Sequence, residues 1–155
     1  MSTKKIAHSN RNAKKTRTST TRTSTKPPSP PLTEADKAKL TQLRHVLEFT
    51  IAEFESLADL VENSAPRANV GLGAAGFDQV VYRLNDVVYS TFGDGHAVTE
   101  EMVDADHFVD VIQKAACDER IYRRVVYKLG RVRDGAVLAL EAGTIERVTS
   151  DSEAA

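Results

Sequence analysis

From Leu32 onward apolar side chains recur every three or four residues, the period of a helix with one buried face. Leu40, Leu43, Leu47, Phe54, Leu57 and Val61 form the first stripe, widened by Val46, Ile51 and Leu60, and Thr50 alone breaks its heptad. Thr33 is the expected N-cap, with Glu34 and Asp36 in the first turn, where the helix dipole favours negative charge. Pro66 disfavours helical geometry at the residue before it, so the helix should stop within Asn63–Pro66. Such a helix spans about 45 Å at 1.5 Å per residue. That is long for the body available, which leaves two expectations: a homodimer through the helix around Leu40 to Val61, or complete coverage by the remaining helices.

A second helix is expected from about Ala75 or Phe77 to Thr91, with Phe77, Val80, Val81, Leu84, Val87 and Val88 on one side and Tyr82 and Tyr89 on a common flank. Gly93-Asp94-Gly95 reads as a turn. Thr99 then offers an N-cap for a third helix carrying Met102, Ala105, Phe108, Val109, Ile112, Ala115 and Ala116. The pattern pauses at Cys117-Asp118 and resumes with Ile121, Val125, Leu129, Val132 and Ala136, as a fourth helix or a continuation of the third. Gly130 and Gly135 each cost about 1 kcal/mol against Ala in a helix interior, whereas Gly143 suits a left-handed stop. A short hairpin through Ala142-Gly143 to Ile145 and Val148 is the alternative ending. The expected fold class is therefore all-α, a bundle of three or four amphipathic helices.

Residues 1–31 lack this periodicity and lack any acid, while carrying Lys4, Lys5, Arg11, Lys14, Lys15, Arg17, Arg22 and Lys26. Residues 32–155 carry nine more acidic than basic side chains, so the formal net charge of -1 conceals two opposite halves. The chain of 155 residues has room for one domain, expected over 32–148, with 149–155 frayed and 1–31 a disordered basic tail. Lys26-Pro27-Pro28-Ser29-Pro30-Pro31 favours an extended polyproline II spacer between tail and body. No apolar run approaches the roughly 20 residues of a membrane span, and the start carries no secretory signal, so a soluble, cytoplasmic protein is expected. Cys117 is the only cysteine, which excludes an intramolecular disulfide and a cysteine-based zinc site.

Eight positive charges in a flexible segment can bind nucleic acid or another polyanion by counterion release. The same composition also suits an export or organellar address, a docking motif at the PxxP pairs Pro27/Pro30 and Pro28/Pro31, or a solvating tail drawn to its own acidic body. In the body, the segment Arg120 to Arg133 holds six basic residues and no acid. Arg120, Arg124, Lys128 and Arg131 fall on one helical stripe with Tyr127 between them, opposite Ile121, Val125, Leu129 and Val132. A stripe of this kind tracks a phosphate backbone or an acidic partner. The weightier alternative is internal, pairing with Glu48, Glu53, Glu55, Asp59 and Glu62 or with Asp104, Asp106 and Asp110.

Other constellations lose their appeal in context. Gly71-Leu72-Gly73-Ala74-Ala75-Gly76 has the GxGxxG spelling, but no strand leads into it, so an inter-helix loop whose small residues permit close packing is expected rather than a nucleotide site. His96, Asp104, Asp106, His107 and Asp110 lie close together without a metal-binding spelling, and read as a solvated helix face. No cofactor, metal or small-molecule substrate is expected, and no nucleophile sits in a catalytic setting. The sequence points to a non-enzymatic interaction protein whose tail, with or without the α-helical stripe, engages nucleic acid or another polyanion. The alternative is a translocated protein whose tail is an address and whose body binds a protein.

Overall fold

The computed structural model describes residues 29–63, 70–115 and 118–146, without side chains for 70–75 and 77. Four helices follow in order: α1 (Glu34–Asn63), α2 (Val70–Phe92), α3 (Ala97–Lys114) and α4 (Glu119–Ala142). They form a ring in which α1 packs on α4, α4 on α3 and α3 on α2, closed by a thinner seam between α1 and α2. Neighbours run antiparallel. Arg123 near the start of α4 meets Asp59 and Glu62 near the end of α1, while Leu32 just before α1 donates to the carbonyl of Gly143 just after α4. Among the described residues no strand forms, and the only β pairing is an isolated bridge between Pro31 and Thr144.

Each helix buries one seam at three- and four-residue spacing: Leu40, Leu43, Leu47, Phe54 and Leu57 from α1; Val81, Leu84 and Val88 from α2; Met102, Ala105, Val109 and Ile112 from α3; Tyr122, Val125, Leu129, Val132, Ala136 and Ala139 from α4. This is the two-per-heptad packing of an antiparallel four-helix bundle. Thr50 occupies its heptad position fully buried, and its hydroxyl donates to the carbonyl of Val46 at 2.7 Å, so the polar side chain costs the seam no unsatisfied group. Thr91 does the same to Val87.

The start of α1 is a reciprocal cap: Asp36 N–H donates to Thr33 Oγ1, and Thr33 N–H donates back to Asp36 Oδ2, both at 3.1 Å. Gly93 and Gly95 take positive φ angles of 86° and 72° in the α2–α3 turn, and Gly143 ends α4 at φ 69°. α4 is a separate helix with Asp118 as its N-cap.

Three expectations are corrected. The glycine-rich segment is helical: α2 begins at Val70, so Gly71–Gly76 forms its opening turns rather than a loop. A Cβ at Gly76 would meet nothing within 4 Å, so this glycine does not serve close packing either. Leu72, Ala74 and Ala75 favour helix, and once α2 is nucleated the glycine penalty does not stop propagation. Thr99 is not the cap of α3. His96 is, its Nδ1 accepting from Val98 N–H at 3.1 Å, while Thr99 lies buried inside the helix and donates to the carbonyl of Gly93. The alternative hairpin ending does not form among the described residues: α4 stays helical to Ala142 and stops at Gly143, and Thr144 pairs with Pro31. The tail up to Pro28, the stop around Pro66, Cys117 and the frayed end from Arg147 lie outside the described residues.

Candidate polyanion interface

The basic stripe of α4 is placed as its spacing dictates, but toward a neighbour. Lys128 is only 23% exposed and lies 2.8 Å from Glu101 and 2.9 Å from Asp104 of α3. Arg131, one turn on, reaches the same Glu101 at 3.6 Å. Arg124 stacks over the ring of Phe108, with its guanidinium carbon 5.7 Å from the centroid. Arg120 folds back toward its own N-cap, Asp118, at 3.6 Å. The stripe therefore runs along the α3–α4 seam, because antiparallel packing brings the acids of α3 into register with it.

The other basic residues of the segment are engaged as well. Arg123 donates to Glu62 at 2.7 Å and Asp59 at 3.2 Å across the α1–α4 seam, and Arg133 lies 3.4 Å from Asp134. The carboxylates hold both central cations firmly charged. The Arg123 guanidinium is pushed up chiefly by its hydrogen bond to Glu62 and then by Asp59. The Lys128 ammonium is pushed up chiefly by Glu101 and then by Asp104. Glu101 is the residue that sequence reasoning missed. It sits in the first turns of α3, where an acid is already explained by the helix dipole, and only tertiary register reveals its bridging role.

The eight arm residues proposed for polyanion binding, Lys4, Lys5, Arg11, Lys14, Lys15, Arg17, Arg22 and Lys26, lie outside the described residues. Their attachment is described. Pro31 is bridged to Thr144 and Leu32 is hydrogen-bonded to Gly143, so the arm leaves the bundle beside the C-terminal end of α4.

Among the described residues no cluster of three or more His, Cys, Asp or Glu side chains could hold an ion. Asp106 is pushed up by burial, and further by Asp78 and Asp110, against a smaller opposing effect of His107. Among the described residues no helix is long and apolar enough to cross a membrane. No family model matches the chain, and neither a curated protein nor a solved structure matches it.

Proposed function

We propose that the protein is a non-enzymatic helical interaction protein whose basic arm binds nucleic acid or another polyanion, with the bundle as its acidic anchor. The observation that carries this reading is the internal pairing of α4. Lys128, Arg131, Arg123 and Arg124 are engaged by α3 and α1, which leaves the acid-free arm as the concentrated positive charge available to an external polyanion. Binding through such an arm is sequence-tolerant and falls steeply with salt. A gel-shift titration of the full chain against a chain with the eight arm cations changed to serine tests it. Retained binding in the substituted chain overturns the assignment to the arm.

A second reading, in which the arm is an address and the bundle binds a protein, draws on the exposed aromatics Phe49, Tyr82, Tyr89 and Tyr127 and on Leu138. A homodimer through α1 would have to use Phe49 and Leu60, because Leu40, Leu43, Leu47, Ile51, Phe54 and Leu57 are buried within one chain. Native mass spectrometry distinguishes these readings by the mass of the chain and of whatever accompanies it.

A further inference from the structure

At the end of the bundle where the arm attaches, a pocket of about 470 Å³ opens between the start of α3 and the end of α4. Its apolar part includes Phe92, Leu138, Ala142 and Ile145, and Leu138 is 64% exposed. Its charged lining is Glu101, Asp134 and Glu146 against the single guanidinium of Arg131. Glu101 is already held by Lys128 and Arg131, whereas Asp134 meets only its sequence neighbour Arg133, at 3.4 Å and with its own side chain 64% exposed, so Asp134 and Glu146 are the carboxylates at the mouth that a further cation can reach.

Three observations identify the occupant. Thr144, part of the pocket lining, is the residue bridged to Pro31, so the arm enters at the pocket's edge. Lys26 precedes Ser29 by three residues, and an extended polyproline segment advances about 3.1 Å per residue, so Lys26 reaches roughly 10 Å beyond the described chain and Arg22 about twice that. Every charged side chain of the arm is basic, whereas the other neighbouring segment, 147–155, carries Arg147 against Asp151 and Glu153 and does not complement acidic walls. Proline-rich extended segments dock on apolar grooves at low entropic cost, and a short tether raises the local concentration of the arm to the millimolar range.

We propose that the arm folds back onto this pocket, with Pro27 and Pro28 over Leu138 and Ala142 and with Lys26 and Arg22 against Asp134 and Glu146. The contact is a self-association that an external polyanion must displace. It concerns the same arm as the proposed function, but its test needs no nucleic acid, so either can fail alone.

The test is the amide NMR spectrum of the full chain. At low salt the signals of Phe92, Leu138 and Ala142 should sit at different positions in the wild type and in Arg22→Ser/Lys26→Ser, and the two should converge at high salt. In Asp134→Lys/Glu146→Lys the amides of Arg22 and Lys26 should lose their salt dependence. Coincident low-salt spectra of the wild type and the arm variant would overturn the proposal. So would pocket signals that ignore the arm substitutions but move when residues 147–155 are removed, since that result assigns the pocket to the C-terminal segment.

Discussion

Gly135 of α4 lies so close to Val98 of α3 that a Cβ built on it would overlap Val98 Cγ2 and sit 3.5 Å from Val98 Cβ and Cγ1. The glycine that helix propensity counts against α4 is what lets α3 approach it, because Val98 is buried on that side. Gly135→Ala should therefore destabilise the bundle by about 1–3 kcal/mol, although alanine is the better helix former by about 1 kcal/mol. Denaturant unfolding of Gly135→Ala, Val98→Ala and the double variant checks it. The double variant should be more stable than the two single losses predict, since the offending methyl is gone.

The seam cations differ in their surroundings. Lys128 and Glu101 are 23% and 22% exposed, whereas Arg123 and its partners Asp59 and Glu62 stand mostly in solvent. Lys128→Ala leaves Glu101 half-buried with only Arg131 nearby and should cost about 1 kcal/mol. Arg123→Ala should cost less, and its effect should vanish in high salt while that of Lys128→Ala persists. Unfolding midpoints at two ionic strengths separate the two.

His96 makes the end of the bundle sensitive to acid. Burial lowers its pKa from 6.5, against smaller opposing effects of Glu146, and the cap of α3 needs its Nδ1 unprotonated. The unfolded chain therefore takes up this proton first. The histidine's contribution is complete above pH 6.5 and is lost as pH falls from there to the lowered folded value. His96→Asn keeps a side-chain oxygen to cap the helix without titrating, so its stability should fall less over that interval than the wild type's. Equal losses in the two chains would remove His96 from the account.

Asp106 works in the opposite sense. Burial, then Asp78 and Asp110, raise its pKa above 3.8, so its ionisation is harder in the folded chain and stability falls as pH rises through that range. Asp106→Asn should be more stable than the wild type near neutrality by a few tenths of a kcal/mol, about the size of a like-charge pair on a helix. That gain should disappear below pH 3.8. A stability comparison across pH reads both the sign and the window.

The helices were legible because apolar period and burial coincide: Leu40, Leu43, Leu47, Phe54 and Leu57 are both the pattern and the core. Thr50 looked like a break and is not one, because its hydroxyl is satisfied within its own helix. Gly71–Gly76 misled because glycine content is a local signal and α2 propagates through it. The cap of α3 was hidden because histidine is not among the usual capping residues, and Thr99 was the better local candidate. The stripe Arg120, Arg124, Lys128 and Arg131 was visible as a stripe, yet its partner was not, since the register between α3 and α4 is set by packing such as Gly135 on Val98. The pocket beside Thr144 had no sequence signal, being assembled from the ends of three helices.

Polyanion binding through the arm is tested by the salt dependence of nucleic-acid binding by three full-length chains: the wild type, one with the eight arm cations changed to serine, and Arg120→Ser/Arg124→Ser. Wild-type affinity should fall with salt with a log–log slope of up to roughly -7 on duplex DNA if all eight charges engage. The Arg120→Ser/Arg124→Ser chain should keep that slope, and the arm variant should lose most of its binding. A slope unchanged by the arm substitutions, or binding insensitive to salt, would contradict it.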